Sequence, residues 1–161
     1  MPQSSAVQFR PARQADIPVL CDMLAELFII EADFQPDREK QAQALRILIG
    51  NADTDHARSP GVVWVAEQAG KVIGMCSVQS LISTAEGGEV GLVEDVFIAA
   101  AHRGQGVGQQ LLHSLESWAR TRGLRRLQLL TDKHNSGALA FYERHGWNRT
   151  RMQALNKILK Y

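Results

Sequence analysis

The stretch Val93–Gln110, VEDVFIAAAHRGQGVGQQ, constrains this chain more than any other. Its first part is apolar and β-prone. Strict alternation puts Leu92, Glu94, Val96 and Ile98 on one face and Val93 and Phe97 on the other. A short alanine run follows, and Arg103-Gly104-Gln105-Gly106-Val107-Gly108 then opens an amphipathic segment. In it Val107, Leu111, Leu112, Leu115, Trp118 and Ala119 recur on one helix face. The spacing predicts strand, glycine-rich turn, helix. Glycines there let the backbone turn sharply and bring several N–H groups up to a bound anion, where the helix dipole adds favourable charge.

Known glycine-rich turns differ in their spacing. A dinucleotide fingerprint counted from Gly104 and Gly106 needs a third glycine where Gln109 stands. A Walker A loop ends in Gly-Lys-Ser/Thr, whereas Gly108 is followed by Gln109 and Gln110. Arg103, Gly106 and Gly108 do fit an R/Q-x-x-G-x-G/A loop, and a ligand-free structural turn is the remaining alternative. On these residues the stretch resembles the GNAT N-acetyltransferase superfamily, in which such a loop holds the pyrophosphate of coenzyme A.

The remainder of the chain bears on that resemblance. Val7–Arg10 reads as a first strand, and Asp16 stands at the N-cap of a helix with Pro18 in its first turn and Leu20, Met23, Leu24, Leu27 and Phe28 inward. Asp37 caps a second helix with Ala44, Leu45, Leu48 and Ile49 on its inner face. Asn51–Pro60 reads as a polar, mobile loop. From Gly61 the period becomes extended, turning at Ala69-Gly70 and again at Gly87-Gly88, with Val72–Ile82 between them. Gly123 stops the amphipathic helix, Arg126–Thr131 forms a strand, and Asn135 caps a short helix ending at His145-Gly146. Trp147–Thr150 and Met152–Leu159 read as closing strands. The expected fold is mixed α/β, an antiparallel meander followed by one parallel crossover.

That order is similar to the superfamily from end to end. Leu92–Trp147 is the best-marked part, with Asn135 after the fifth strand and the run Phe141-Tyr142-Glu143-Arg144-His145-Gly146-Trp147. The resemblance implies one acyltransferase domain over residues 1–161, a mostly antiparallel sheet, and a fourth strand splayed from the fifth. It implies acetyl-CoA as cosubstrate, held by Arg103, Gly104, Gln105, Gly106, Val107, Gly108 and Gln109. Pantetheine would pair along Val96, Phe97 and Ile98 and meet Asn135, Ala138 and Phe141. Tyr142 matches the tyrosine that serves as general acid. Transfer to an amine also needs a proton acceptor: Glu94 is the first candidate and Asp95, whose side chain would point the other way, the second. The acceptor would lie near Phe28, Glu31, Asp33 and Phe34, and carboxylates beside aromatics suit a small cationic amine such as a polyamine, diamine or amino acid. A protein N-terminus or lysine, and a non-catalytic acyl-CoA-binding module, are the alternatives. A homodimer through the C-terminal strands follows from family habit.

Composition sets limits on partners. With 161 residues, 45% apolar and 22% charged, the chain has the length and make-up of an ordinary single domain. A net charge of +1 gives no reason to expect nucleic acid or an anionic membrane. The cluster Arg120, Arg122, Arg125, Arg126 falls at a helix end, where cations complement the dipole. Cys21 and Cys76 read as reduced buried thiols, and His56, His102, His113, His134 and His145 show no metal spacing. No signal-peptide plan is visible, so a cytoplasmic protein without metal is expected.

Overall fold

A computed structural model describes residues 5–31, 33–50 and 59–160. The chain divides after Leu129 into two compact units. The first carries a five-stranded sheet in sequence order, β1 (Gln8–Pro11), β2 (Gly61–Gln68), β3 (Lys71–Ser83), β4 (Gly88–Ile98) and β5 (Leu127–Leu129). The first four run antiparallel, and β4 and β5 are parallel. The mixed α/β meander with a single parallel crossover is as expected.

Two helices, α1 (Ile17–Ile30) and α2 (Arg38–Ile49), cover one face. Ile17, Leu20, Cys21, Met23, Leu24 and Leu45 form one cluster there with Val63, Val65, Met75 and Phe97. The inward side of α2 is Ala42, Leu45, Leu48 and Ile49, with Ala44 exposed, so the stripe is rotated from the expected one. Asp37 Oδ1 accepts from the Lys40 N–H at 3.2 Å and caps α2. Asp16 holds the N-cap position of α1, but its carboxylate serves other donors: Arg10, in a forked pair at 2.8 and 3.1 Å, and the Arg13 N–H at 2.7 Å. Arg10 also reaches Glu67 on β2, so one guanidinium ties the first strand, the entry to α1 and the second strand together. The loop expected over Asn51–Pro60 falls mostly outside the described residues.

The crossover helix α3 (Val107–Thr121) packs against β2, β3 and β4. Its Val107, Leu111, Leu112, Leu115 and Ala119 are buried, while Trp118 is only partly so and carries the Arg122 guanidinium at 5.4 Å. Each fully buried leucine there contributes about 2 kcal/mol of apolar burial. The arginines beyond the helix do more than complement a dipole. Arg122 and Arg126 pair with Glu89 and Glu86 at 3.7 and 3.5 Å, and Arg125 Nη1 donates to the Glu86 carbonyl at 2.6 Å. They clamp the β3–β4 hairpin.

The second unit holds α4 (Ser136–Arg144), capped by Asn135 Oδ1, which accepts the Ala138 N–H at 3.0 Å. The expected closing strands do not form. Residues 147–150 and 152–159 pair with no described strand, and Met152, Leu155, Ile158 and Leu159 are exposed. Their spacing explains this: apolar positions 152, 155, 158 and 159 do not alternate, so a strand would divide them between two faces. The fifth strand is also shorter than expected, Leu127–Leu129 rather than Arg126–Thr131.

Candidate active site

The site in the first unit starts from a defect in β4. Pairing with β3 runs Val93 to Val78 and Glu94 to Ser77, then resumes with Phe97 to Met75, so β4 carries one residue more than its partner. This is a β-bulge, and Asp95 sits in it with a left-handed φ of 55°. One extra residue reverses the alternation beyond it. Phe97 therefore joins Met75 on the α1/α2 face, where Ser77, Leu92 and Glu94 also lie, while Ile98 and Val93 take the other. The expected grouping of Phe97 with Val93, and of Ile98 with Leu92, is corrected by the bulge.

The bulge also separates the roles of the two carboxylates. Glu94 is exposed and accepts from Gln79 Nε2 at 2.9 Å. Asp95 is held closer in, with Ser77 Oγ 3.2 Å from its Oδ2. Burial first, then the charges of Glu94 and Glu31, push the Asp95 carboxyl up to about 6 against the pull of the Ser77 hydrogen bond. Alternation predicts opposite faces for these neighbours. The reversal instead leaves Glu94, Asp95 and the end of α1 within electrostatic reach of one another. Ser77, buried in the sheet, was not singled out by the sequence, since a strand serine carries no signal until its register is known.

At the end of α1 the Phe28 and Phe34 rings stand 5.5 Å apart. Phe28 also packs on the core, while Phe34 is 57% exposed. Glu31 lies between them in sequence, its N–H bonded to the Leu27 carbonyl, and Asp33 is exposed in the following turn.

The parallel ladder of β4 with β5 stops at Val93–Leu129. No described strand pairs with Val96, Phe97 and Ile98 on that side. Beyond Ile98 a 3-10 turn, Ala100–His102, leads into Arg103–Gly108. Arg103 Nε donates to the Ile98 carbonyl at 2.7 Å, and its guanidinium carbon is 5.3 Å from the Phe97 ring centre. Gln105 Nε2 donates to the Ala101 carbonyl at 2.9 Å. Both side chains brace the loop on the segment before it.

The loop backbone has the shape of an anion cradle. Gly104 and Gly106 have φ of 72° and 79°, and a Cβ at Gly104 would meet nothing within 4 Å. Glycine is needed there for its left-handed backbone rather than for space. Gly106 is the N-cap of α3 and offers no side chain, so the N–H groups of Val107, Gly108 and Gln109 have no acceptor within the helix. This arrangement suits a pyrophosphate.

In the second unit Tyr142 lies edge-on to Phe141 and Trp147, with ring centres 5.4 and 5.9 Å away. Phe141 also meets His145 at 4.5 Å, and its carbonyl is 2.6 Å from His145 Nδ1. The α4 run is thus a small aromatic stack, with Asn135 and Ala138 joined in its cap. Among the described residues no group of three or more His, Cys, Asp or Glu side chains is placed to hold a metal, and no helix is long and apolar enough to cross a membrane.

Comparison with known proteins agrees with this layout. The family model described as acetyltransferase (GNAT) family matches residues 21–147, spanning both units. A mouse protein named probable N-acetyltransferase family 8 member 5 is 25% identical over 145 residues, 90% of this chain. An uncharacterized N-acetyltransferase of Methanocaldococcus jannaschii is 33% identical over 85 residues, 52% of this chain and 38% of its own length. The chain spans only 64% of the mouse relative. Among solved structures, a transcriptional regulator from Bacillus halodurans superposes with a TM-score of 0.78 at 26% identity, covering 96% of this chain and all of that one. An aminoglycoside N-acetyltransferase in complex with CoA gives 0.80 at 16% identity over 98% of both chains, a likeness of fold alone. With the family model covering the bulged strand, the glycine loop and the α4 aromatic run together, the chain belongs to the acetyltransferase (GNAT) family.

Proposed function

We propose that this protein is an acetyl-CoA-dependent N-acetyltransferase whose acceptor is a small cationic amine, a polyamine, diamine or basic amino acid. The observation that carries the reading is the bulge in β4, which puts a carboxyl of raised pKa beside a strand segment that has no β5 partner. In this reading the two units act as one domain. The backbone of Gly104–Gln109 binds the pyrophosphate, and the open edge of Val96–Ile98 pairs with pantetheine. Family members solved with acetyl-CoA or CoA support the choice of coenzyme.

A primary amine with a pKa near roughly 10 arrives protonated and cannot attack. We assign its deprotonation to Asp95, directly or through water, because a carboxyl titrating near 6 is a better base at neutral pH than an ordinary one. Glu94 and Glu31 supply negative charge that attracts the ammonium, and the Phe28–Phe34 pair offers an aromatic surface for a cation. The free amine attacks the thioester carbonyl, and the C–S bond breaks as Tyr142 gives its phenolic proton to the departing thiolate. The proton that the nitrogen sheds on becoming an amide returns through water to the Tyr142 phenolate. The acting species is taken to be a homodimer.

The test is thiol release from acetyl-CoA against diamines, polyamines, amino acids, aminoglycosides and peptides. Saturable turnover of a diamine or polyamine supports the reading. Turnover of peptides alone replaces the small acceptor by a protein N-terminus or lysine. Tight acetyl-CoA binding with no turnover of any acceptor favours a non-catalytic acyl-CoA-binding module.

A further inference from the structure

Next to the coenzyme loop, the first unit has a second cleft that uses none of the residues assigned above. One wall is the β2–β3 turn, with Gln68, Ala69 and Lys71, and the other is His102, the last residue of the 3-10 turn before Arg103. Ser5 and the buried Ile73 complete the lining, and the cavity measures about 370 Å³. That volume falls in the range of small-molecule sites.

Three features give the cleft its chemistry. Its lining contains a lysine and a histidine and no carboxylate. Among the described residues no ion pair engages either Lys71 or His102, while the nearby Glu67 is committed to Arg10. The turn wall is also braced. Ala69 and Gly70 both have left-handed φ, 50° and 75°, the backbone of a tight two-residue hairpin. The Ala69 N–H donates to Ser5 Oγ at 3.0 Å, and Gln68 Nε2 donates to the Ser5 carbonyl at 2.9 Å. A non-glycine residue in that conformation is held in place by these bonds.

We propose that this cleft binds a phosphate monoester, held by the Lys71 ammonium and a His102 ring N–H. The dianion has two sources of the same chemistry. One is the ribose 3′-phosphate of the coenzyme whose pyrophosphate is assigned to the adjoining Arg103–Gly108 loop, and this source rests on that assignment. The other is a free phosphorylated metabolite, which would tie the 3-10 turn to the β2–β3 turn and so bias the loop that follows His102.

Calorimetry on the full chain separates them, using acetyl-CoA, 3′-dephospho-acetyl-CoA and inorganic phosphate as titrants. The proteins are wild type, Lys71→Met, Lys71→Arg and the double variant Lys71→Met/His102→Gln. Lys71 is exposed and His102 half-exposed, so these variants keep the core intact. With the coenzyme as source, wild type prefers acetyl-CoA over its dephospho form by about tenfold, the scale of one or two hydrogen bonds to a charged group. The double variant loses that preference and Lys71→Arg restores most of it. With a free anion as source, the two coenzymes bind alike, and phosphate binds wild type saturated with coenzyme but not the double variant. The proposal is overturned if wild type neither distinguishes the coenzymes nor binds phosphate, or if the double variant behaves as wild type in both titrations. Absence of all coenzyme binding in wild type instead overturns the loop assignment, and the phosphate titration then decides the cleft alone.

Discussion

The Ser77 hydroxyl lies 3.2 Å from Asp95 Oδ2 and 3.2 Å from the Glu94 carbonyl oxygen. It has one proton for two acceptors, so it stabilises the Asp95 carboxylate only in part. The unshared remainder is what burial and two neighbouring carboxylates raise to a pKa of about 6. A carboxyl kept in such a place is costly to the fold, and the proposed mechanism uses it as the base.

The first prediction follows from that opposition. Moving the Asp95 pKa from 3.8 to about 6 corresponds to about 3 kcal/mol. The folded form binds the proton more tightly than the unfolded chain, so stability is highest below pH 4 on this account and falls as pH rises through the window from 4 to 6. Asp95→Asn removes the charge and keeps a residue that tolerates left-handed φ. It should raise stability at pH 7.5 by about 1–3 kcal/mol, leave it nearly unchanged at pH 4, and reduce turnover at least 100-fold. Urea unfolding at the two pH values, with the thiol-release assay, checks all three.

Glu94 is separated from Asp95 by a different experiment. Its charge is one cause of the raised Asp95 pKa. In Glu94→Gln, kcat/KM for the amine should retain its acidic limb, but with the apparent pKa moved below that of wild type. Loss of the limb altogether would make Glu94 the proton acceptor and leave Asp95 as the modulator.

How far the sequence reaches is clear at these two residues. The strand, the glycine loop and α3 are legible because period and composition are local properties, and Gly106 carries its reason in its own backbone. The bulge is not legible, because the extra residue exists only relative to the register of β3. Alternation read straight through Val93–Ile98 therefore assigns Phe97 to the wrong face. The C-terminal segment fails for the opposite reason: a reading of Met152–Leu159 as alternating is contradicted by local spacing, since Met152, Leu155, Ile158 and Leu159 divide between both faces of a strand. Arg122 and Arg126 were legible as charges, but their partners Glu89 and Glu86 belong to a hairpin that only the tertiary fold brings near.

The loop Arg103–Gly108 gives the third prediction. Gly106 has φ of 79°, where a Cβ costs about 1–2 kcal/mol. Gly106→Ala meets no steric obstacle, its nearest neighbour being Gln110 Nε2 at 3.8 Å, so the strain falls on the turn itself. The chain should stay folded, with its melting temperature lowered by several degrees. KM for acetyl-CoA should rise at least tenfold and KM for the amine change little. Equal increases in both would place the loop's role in general integrity.

Stability in acid should depend on the strap at the other end of the sheet. Burial raises the Asp16 carboxyl, but the Arg10 guanidinium and the Arg13 N–H more than offset it, and its pKa lies below the ordinary value. The stabilisation is therefore present above the unfolded carboxyl pKa and is lost as pH falls through the folded one. Asp16→Asn leaves Arg10 with Glu67 as its one carboxylate partner among the described residues and should cost about 3 kcal/mol at pH 7. The gap between variant and wild type should shrink as the pH is lowered below 4. A constant gap across pH 3–7 in chemical unfolding would assign the loss to packing instead of charge.

Tyr142 offers a single-atom test, because its ring and its carbonyl are both held by neighbours. The His145 and Trp147 N–H groups both bond to its carbonyl, and Phe141 and Trp147 pack against its ring. Tyr142→Phe preserves every one of these contacts, so the fold and the affinity for acetyl-CoA should be unchanged. If the phenol protonates the departing thiolate, kcat should fall by about 10²-fold. The loss should be smaller with an acetyl thioester whose thiol is more acidic, since that leaving group needs less help. An unchanged kcat would remove the phenol from the reaction, and an equal fall for every leaving group would leave it a role in positioning only.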